Sequence, residues 1–459
     1  MTAERPINAD VPATDPRSPA KEPRDDAPRL PIPKPRLPIP KRVKKPGGRR
    51  RQHRPIPGAL KAIAALVALA IAFLIAAILG GSGSENSGAP SGAAAPLGGA
   101  ERTTPEEPAA QTSTELGYPA FATANTTRVG GADPASNAAG AALAAFPSTQ
   151  PGLRPAAITL VDEEDWQAAI AAAVLIAEPV GAPVLISSAD GLPEPTADAL
   201  SALDPQGSDA TGGAAAFAIG AVDSGGLANV TTIKSPDPAA AAAAIARLRD
   251  RLFKGPPAHI VIAPAQEAAF AMPAAAWAAR SGDPVLFAER NALPKSTAEF
   301  LRSHSKVPVY VLGPSATISS AVVRKIGTVG NPVRRVSGED PVANAIALAR
   351  YDDGDFGWNV NDPGHGFVIA RSDSTLAAAA AAPLSASGAW GPLLLTDSAD
   401  TLPGTLRGYL LDVKPGYTTD PTRAFYNHVW VIGDQEAIDV NQQAEIDNLA
   451  KLAKIGDKP

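Results

Sequence analysis

The chain repeats itself, and that repetition limits the fold more than any local motif does. Three segments run in one order. Ala182-Pro183-Val184-Leu185-Ile186 leads to Leu192-Pro193 and then Phe217-Ala218-Ile219-Gly220. Asp283-Pro284-Val285-Leu286-Phe287 leads to Leu293-Pro294 and Val309-Tyr310-Val311-Leu312-Gly313, and Gly391-Pro392-Leu393-Leu394-Leu395-Thr396 leads to Leu402-Pro403 and Val429-Trp430-Val431-Ile432-Gly433. The two prolines of each copy lie 10, 10 and 11 residues apart. An Asp-Pro pair recurs at Asp133-Pro134, Asp237-Pro238 and Asp340-Pro341, at intervals of 104 and 103 residues.

Each Asp-Pro reads as a helix start, with the aspartate as N-cap and the proline at the first helical position. Alanine-rich helices are expected at 135–145, 239–252 and 342–350, each preceded by a short strand: Arg128-Val129, Thr231-Thr232-Ile233 or Arg335-Val336. A second strand follows at 158–161, 260–262 and 367–369, then an alanine-rich helix at 165–177, 266–279 and 374–386. The Pro-Val-Leu strand comes next, then a helix at 196–203, 297–301 and 405–411, and a strand ending at Gly220, Gly313 or Gly433. Short apolar strands alternating with helices indicate parallel sheets covered on both faces, with right-handed crossovers. The expectation is three α/β units, at 118–230, 231–332 and 333–459, with the short strand opening each. The third unit carries extra loops at 352–366 and 416–427, bringing Trp358, His365, Tyr417, Tyr426 and His428; added loops on a rigid scaffold often carry function.

The region ahead of the repeats has a different composition. Residues 1–61 hold 16 Lys and Arg against 6 Asp and Glu, leaving 25 against 40 for the rest of the chain. Residues 1–57 are dense in proline and charge, with Arg29-Leu30-Pro31-Ile32-Pro33-Lys34 nearly duplicated at Arg36-Leu37-Pro38-Ile39-Pro40-Lys41. This composition predicts a disordered basic tail of polyproline II character, whose Pro-x-Pro blocks suit a cytoplasmic partner domain. Residues 58–81 form an apolar stretch long enough to span a bilayer, with no charged side chain from Ala62 to Leu79. The basic residues that precede it orient the N-terminus to the cytoplasm and the repeats outward, as an uncleaved signal anchor in the cell membrane. Residues 82–117 read as a flexible tether rich in Gly, Ser, Ala and Pro.

On these pieces the repeats resemble the cell wall binding repeat type 2, found usually in threes in surface proteins of Gram-positive bacteria. The carrying residues are Arg128-Val129-x-Gly131-Ala132-Asp133, Arg335-Val336-Ser337-Gly338-Glu339-Asp340, the alanine-rich helices, the Pro-Val-Leu and Pro-Leu-Leu-Leu strands, and the Ile-Gly and Leu-Gly strand ends. The middle copy has Lys234-Ser235-Pro236 in place of the Arg-x-x-Gly opening, and Pro134, Asn137, Pro341 and Asn344 stand where the family tends to have other residues. The resemblance implies three Rossmann-like or Toprim-like units packed as a pseudo-trimer. The activity it implies is non-covalent attachment to anionic cell wall glycopolymer or peptidoglycan. It also implicates Val184, Leu185, Ile186, Val285, Leu286, Phe287, Leu393, Leu394 and Leu395 in polymer binding, although as residues these read first as central-strand core.

Signs of catalysis are few. The five histidines are scattered, and no Gly-x-Ser-x-Gly, Gly-x-Gly-x-x-Gly or P-loop motif occurs. With no cysteine either, no metal, cofactor or nucleic acid is expected. Ligands of a doubly wound sheet sit beyond the carboxyl ends of its strands. The residues there are Asp162, Glu163, Glu164 and Asp165; Arg371, Ser372 and Asp373; and Thr396, Asp397, Ser398 and Asp400. Two rival readings follow: a tethered small-ligand receptor with one cleft between units, and an envelope hydrolase working through Asp165 or Asp373.

Overall fold

The computed structural model describes residues 121–455 apart from Pro236 and Ala389. The expected tail, membrane span and tether lie outside the described residues, and among those described no helix is long and apolar enough to cross a membrane. The chain opens with β1 (Phe121–Ala122), β2 (Thr126–Val129), α1 (Pro134–Ala145) and β3 (Ile158–Asp162). It continues through α2 (Trp166–Ala172), a 3-10 turn at Ala173–Ile176, β4 (Val184–Ser187), α3 (Glu194–Leu203), β5 (Ala216–Ile219) and β6 (Val230–Ile233). The second copy supplies α4 (Pro238–Leu252), β7 (Ile260–Pro264), α5 (Ala268–Ala271), α6 (Pro273–Ser281), β8 (Val285–Ala288), α7 (Lys295–Ser303), β9 (Val309–Leu312), α8 (Ser320–Thr328) and β10 (Val333–Val336). The third supplies α9 (Pro341–Arg350), β11 (Gly366–Arg371), α10 (Ala377–Ala386), β12 (Leu393–Thr396), α11 (Gly404–Asp412), β13 (Gly416–Tyr417), β14 (His428–Ile432), α12 (Val440–Ala450) and β15 (Ala453–Lys454).

Three large sheets result, in the orders β4-β3-β5-β6, β8-β7-β9-β10 and β12-β11-β14-β2, and β13 pairs with β15 in a small fourth. Every pairing within these orders is parallel, and β1 adds an antiparallel edge to β2. The repeated α/β order and the parallel sheets are therefore as the sequence implies. The short strands are not. Each was expected to open its own unit, but β6 joins the sheet before it, β10 likewise, and β2 travels across the whole chain to pair with β14. The helix after each Asp-Pro then packs on the next sheet, α1 on β4, α4 on β8 and α9 on β12. The chain thus changes unit between the short strand and the Asp-Pro.

A second correction concerns the Pro-Val-Leu strands. They occupy one edge of each sheet rather than its centre, yet all four residues of each are buried. The Asp-Pro helix covers that edge, which protects its unpaired backbone groups from other chains. Thr196 and Thr297 tie α3 and α7 to it, their hydroxyls donating to the carbonyls of Ile186 and Phe287 at 2.6 and 2.9 Å; the third copy has buried Leu406 at the matching place.

The alanine helices meet one another. α10 packs on α1 and α6, and α6 on the 173–176 turn. Ala377 to Ala382 are all at most 2% exposed. A helix that is apolar all round has to be buried, and alanine's single methyl lets three such elements approach closely. The expected helix at 266–279 is split because Pro273 lacks an N–H; it ends α5 and starts α6. The helices α8 and α12 were not expected, and the first copy has no counterpart to them.

The Asp-Pro caps form as read. Asp133, Asp237 and Asp340 accept from the N–H groups of Ser136, Ala240 and Ala343, each at 2.8 Å. Gly220, Gly313 and Gly433 close their strands with φ of +90°, +90° and +100°, a region that suits glycine. Their N–H groups donate to Ile233, Val336 and Val129, which fixes the short strand to the preceding sheet at 2.9, 3.0 and 2.9 Å. Where an arginine stands on that short strand it clamps the turn beyond the glycine. Arg128 donates to the carbonyls of Gly433, Asp434 and Ile438 and to Gln443, and Arg335 to those of Gly313 and Ile318. Asn137 and Asn344, where the chain departs from the family pattern, accept from Gly131 and Gly338 at 3.1 and 3.2 Å. The middle copy has neither the glycine nor the asparagine.

The loop 352–365 does structural work. Phe356 stacks on Tyr310 of the second unit at 3.5 Å and lies 4.8 Å from Trp277. Asp353 accepts from the Tyr310 hydroxyl at 2.6 Å and pairs with Arg334.

Candidate functional site

The sequence-nominated residues fall into three places. All nine apolar strand residues, Val184 to Ile186, Val285 to Phe287 and Leu393 to Leu395, are at most 1% exposed, so their side chains are core and present nothing to a polymer. Asp162 accepts from Glu164 N–H at 2.9 Å, and Asp165 caps α2 by accepting from Ala168 N–H at 2.8 Å. Burial is the larger influence on Asp165 and raises its carboxyl above the usual range. On the third sheet Arg371 pairs with Asp373 at 2.5 Å, while Asp397 is exposed beside them. Hydrogen bonds from Ser398 and Thr401 hold the fully exposed Asp400 below the ordinary range, with Arg371 adding to that. The first pair and the second belong to different sheets, and each is already used in capping a turn or an ion pair. Among the described residues no group of three or more His, Asp or Glu could hold a metal ion.

A cleft also lies at the strand ends of the second sheet, and of it the sequence reading named Asp237 and Pro238, as a helix start, and Pro294. It encloses about 560 Å³ and is lined by Gln167, Asp237, Gln266, Glu289, Lys295 and Glu299 among others. Four local structures build it. The carboxyl ends of β7 and β8 supply Gln266 and Glu289, and the starts of α4 and α7 supply Asp237 and Lys295. Gln167 reaches in from the first unit and donates to Ala265 O at 2.8 Å, which makes the cleft a two-unit feature.

The electrostatics come from the backbone as much as from side chains. α7 follows Pro294, and no side chain caps its first turn; the same holds for α3 after Pro193 and α11 after Pro403. A helix N-terminus with unoccupied N–H groups carries roughly half a positive charge and accepts anions. Lys295 stands at that position with its Nζ 3.9 Å from Glu299, 90% exposed and available to a ligand. The carboxylates and amides around it are acceptors and donors suited to hydroxyl groups. The Leu-Pro pair that recurs through the sequence was the signal that could have marked this place, since it sets each uncapped helix start.

Residues 232–323 match the family model of cell wall binding domain 2 (CWB2). That segment runs from the short strand into α8 and contains most of the cleft, so the family resemblance drawn from the repeats holds on the middle unit. The fold is similar to that of Cwp6 from Clostridium difficile, at 20% identity and a TM-score of 0.56 over 72% of this chain and 48% of the other. It is also similar to Cwp8 from Clostridium difficile, at 20% identity and a TM-score of 0.54 over 72% of this chain and 52% of the other. The chain therefore spans about half the length of either. No curated protein sequence matches it. The CWB2 match supports cell wall binding, and the strand-end cleft gives the matched segment a concave polar surface.

Proposed function

We propose that the protein is a non-catalytic envelope component that holds anionic cell wall glycopolymer or peptidoglycan. Its three Rossmann-like or Toprim-like units would pack as a pseudo-trimer, carried outside the cell membrane on a single span at 58–81. The observation that carries this reading is the strand-end cleft of the CWB2-matched unit, where the uncapped start of α7 and Lys295 meet hydroxyl-binding carboxylates and amides. The repeats are acidic as a whole, and like charges slow the encounter with a polyanion. Selectivity therefore rests on a few local positive ends, not on a field. The helix starts differ accordingly: Glu194 already puts a carboxylate into the first turn of α3, whereas the first turns of α7 and α11 hold no acidic residue. The second and third units are the ones that suit an anionic group. Weak sites held together gain through effective concentration.

Retention of the purified protein on isolated cell walls, before and after stripping the secondary polymers, tests this directly. Retention should vanish with the polymer. Lys295→Glu places a carboxylate at the helix start, where it is tolerated structurally, and should lower retention several-fold with the melting temperature unchanged. Equal binding to stripped and unstripped walls would count against the anionic polymer.

A further inference from the structure

At the opposite, amino-terminal edge of the strands the molecule gathers aromatic rings. The chain has only 5 tryptophans. Three of them, Trp277, Trp358 and Trp390, line a cleft of about 480 Å³ together with Arg280 and Asp355. A second cleft of about 530 Å³ shares Trp390 and adds His365, Tyr426 and His428. The added loops of the third unit contribute to both, Asp355 and Trp358 to the first and His365 and Tyr426 to the second, and they meet Trp277 and Arg280 of α6 from the second unit. Trp390 is 38% exposed and Tyr426 58%, where residues serving only as glue between units would be covered.

The tryptophan is held in place. The Arg280 guanidinium lies 4.4 Å from its ring centre, and the Trp358 ring lies 6.2 Å away, tilted by 28°. Arg280 has no carboxylate partner, and the exposed Asp355 has no hydrogen-bond or ion-pair partner, among the described residues. Polar groups of both signs therefore border a rigid aromatic wall. That combination suits a pyranose ring, which offers C–H faces to an aromatic surface and hydroxyls to donors and acceptors at its rim. Each cleft falls within the roughly 300 to 1,000 Å³ of small-ligand sites, whereas a stable protein partner needs a face of about 800 Å².

We propose that these joined clefts bind a pyranose glycan chain, one sugar against the open part of Trp390 with its neighbours reaching Asp355 and Arg280 on one side and His365 and His428 on the other. The site is separate from the strand-end cleft and does not depend on the anionic-polymer reading.

Titrating the full-length protein with maltohexaose, cellohexaose and chitohexaose, followed by tryptophan fluorescence and calorimetry, tests the proposal. At least one should give saturable binding. Trp390→Ala should weaken it tenfold or more, Trp390→Phe less, and Asp355→Asn several-fold. Circular dichroism checks that each variant is folded. No saturation by any of the three at millimolar concentration overturns the proposal, as does wild-type affinity in Trp390→Ala. Sedimentation showing the face closed by a second copy, in a dimer that Trp390→Ala dissolves, would also overturn it.

Discussion

At the scale of single residues, Arg128 and Arg335 do the same task with different numbers of bonds. Arg128 is 7% exposed and makes five hydrogen bonds, three of them to main-chain carbonyls, while Arg335 makes two. Burial lowers the pKa of both guanidinium groups, and at Arg128 the nearby Asp434 and Asp439 counter that. Replacing Arg128 with methionine keeps the stem and strands the acceptors, which should cost about 2–4 kcal/mol in thermal or urea unfolding. Arg335→Met should cost roughly half as much. Thr232 holds the matching position on β6, where no helix follows Gly220 to be clamped. Gly338 makes a sharper demand, because a Cβ there would meet the backbone of Ala343 and Asn344 at 2.2 Å. Gly338→Ala should therefore destabilise by more than about 2 kcal/mol. At Gly131 the nearest obstacle is the Ser136 side chain at 3.0 Å, and the same change should cost less.

At the scale of elements, the alanine helices are where size is least negotiable. Ala379 is fully buried in α10, and Ala379→Leu should cost about 1–3 kcal/mol by overpacking, read as a lower urea midpoint. These helices and the strands they join were legible in sequence because each is a run with one periodicity, and the Asp-Pro caps because an aspartate one residue before a proline serves a helix start locally. Strand membership was not legible. Arg128-Val129 sits five residues before Asp133, which suggests one unit, while its partner Val429–Ile432 lies some 300 positions away and leaves no local mark. The same limit applied to the clefts. Trp358, His365, Tyr426 and His428 stood out in added loops, but Trp277 and Trp390 sit beside apolar runs and carry no such mark. The strand-end cleft escaped because Lys295, Glu289 and Gln266 look like ordinary surface residues until β7, β8 and α7 bring them together. The Pro-Val-Leu strands were legible as core, and their burial agrees with that reading of the residues.

At the scale of the molecule, the N-terminal strand closes the set of sheets, and Asp447 on α12 is its latch. The Asp447 carboxylate accepts from the Asn125 backbone N–H at 2.8 Å, from the Asn125 side chain at 3.3 Å and from the Thr123 hydroxyl. Burial opposes its ionisation, but the hydrogen bonds from Thr123 and Asn125 outweigh that and hold the carboxyl below the usual range. A folded pKa below the unfolded one stabilises the latch at pH values above the unfolded pKa, near 4, and the contribution is lost as pH falls through the folded pKa. Hydrogen exchange of residues 123–129 should therefore quicken in acid before that of β7 or β9, and Asp447→Asn should raise exchange at neutral pH and flatten the acid dependence. Removing residues 1–130 goes further, since it strips β2 from β14 and leaves the donors and acceptors of that strand unpaired. The shortened chain should lose protection in β14 and α12 while the sheets of the first two units keep theirs. A synthetic peptide of residues 121–133 should restore that protection in trans, because the groups that β2 satisfies are a row of main-chain partners plus the Arg128 clamp, and none of them requires covalent continuity with α1. Recovery should fail with a peptide carrying Arg128→Met, and uniform loss of protection across all three sheets would mean that closure governs the whole assembly and not its third unit alone.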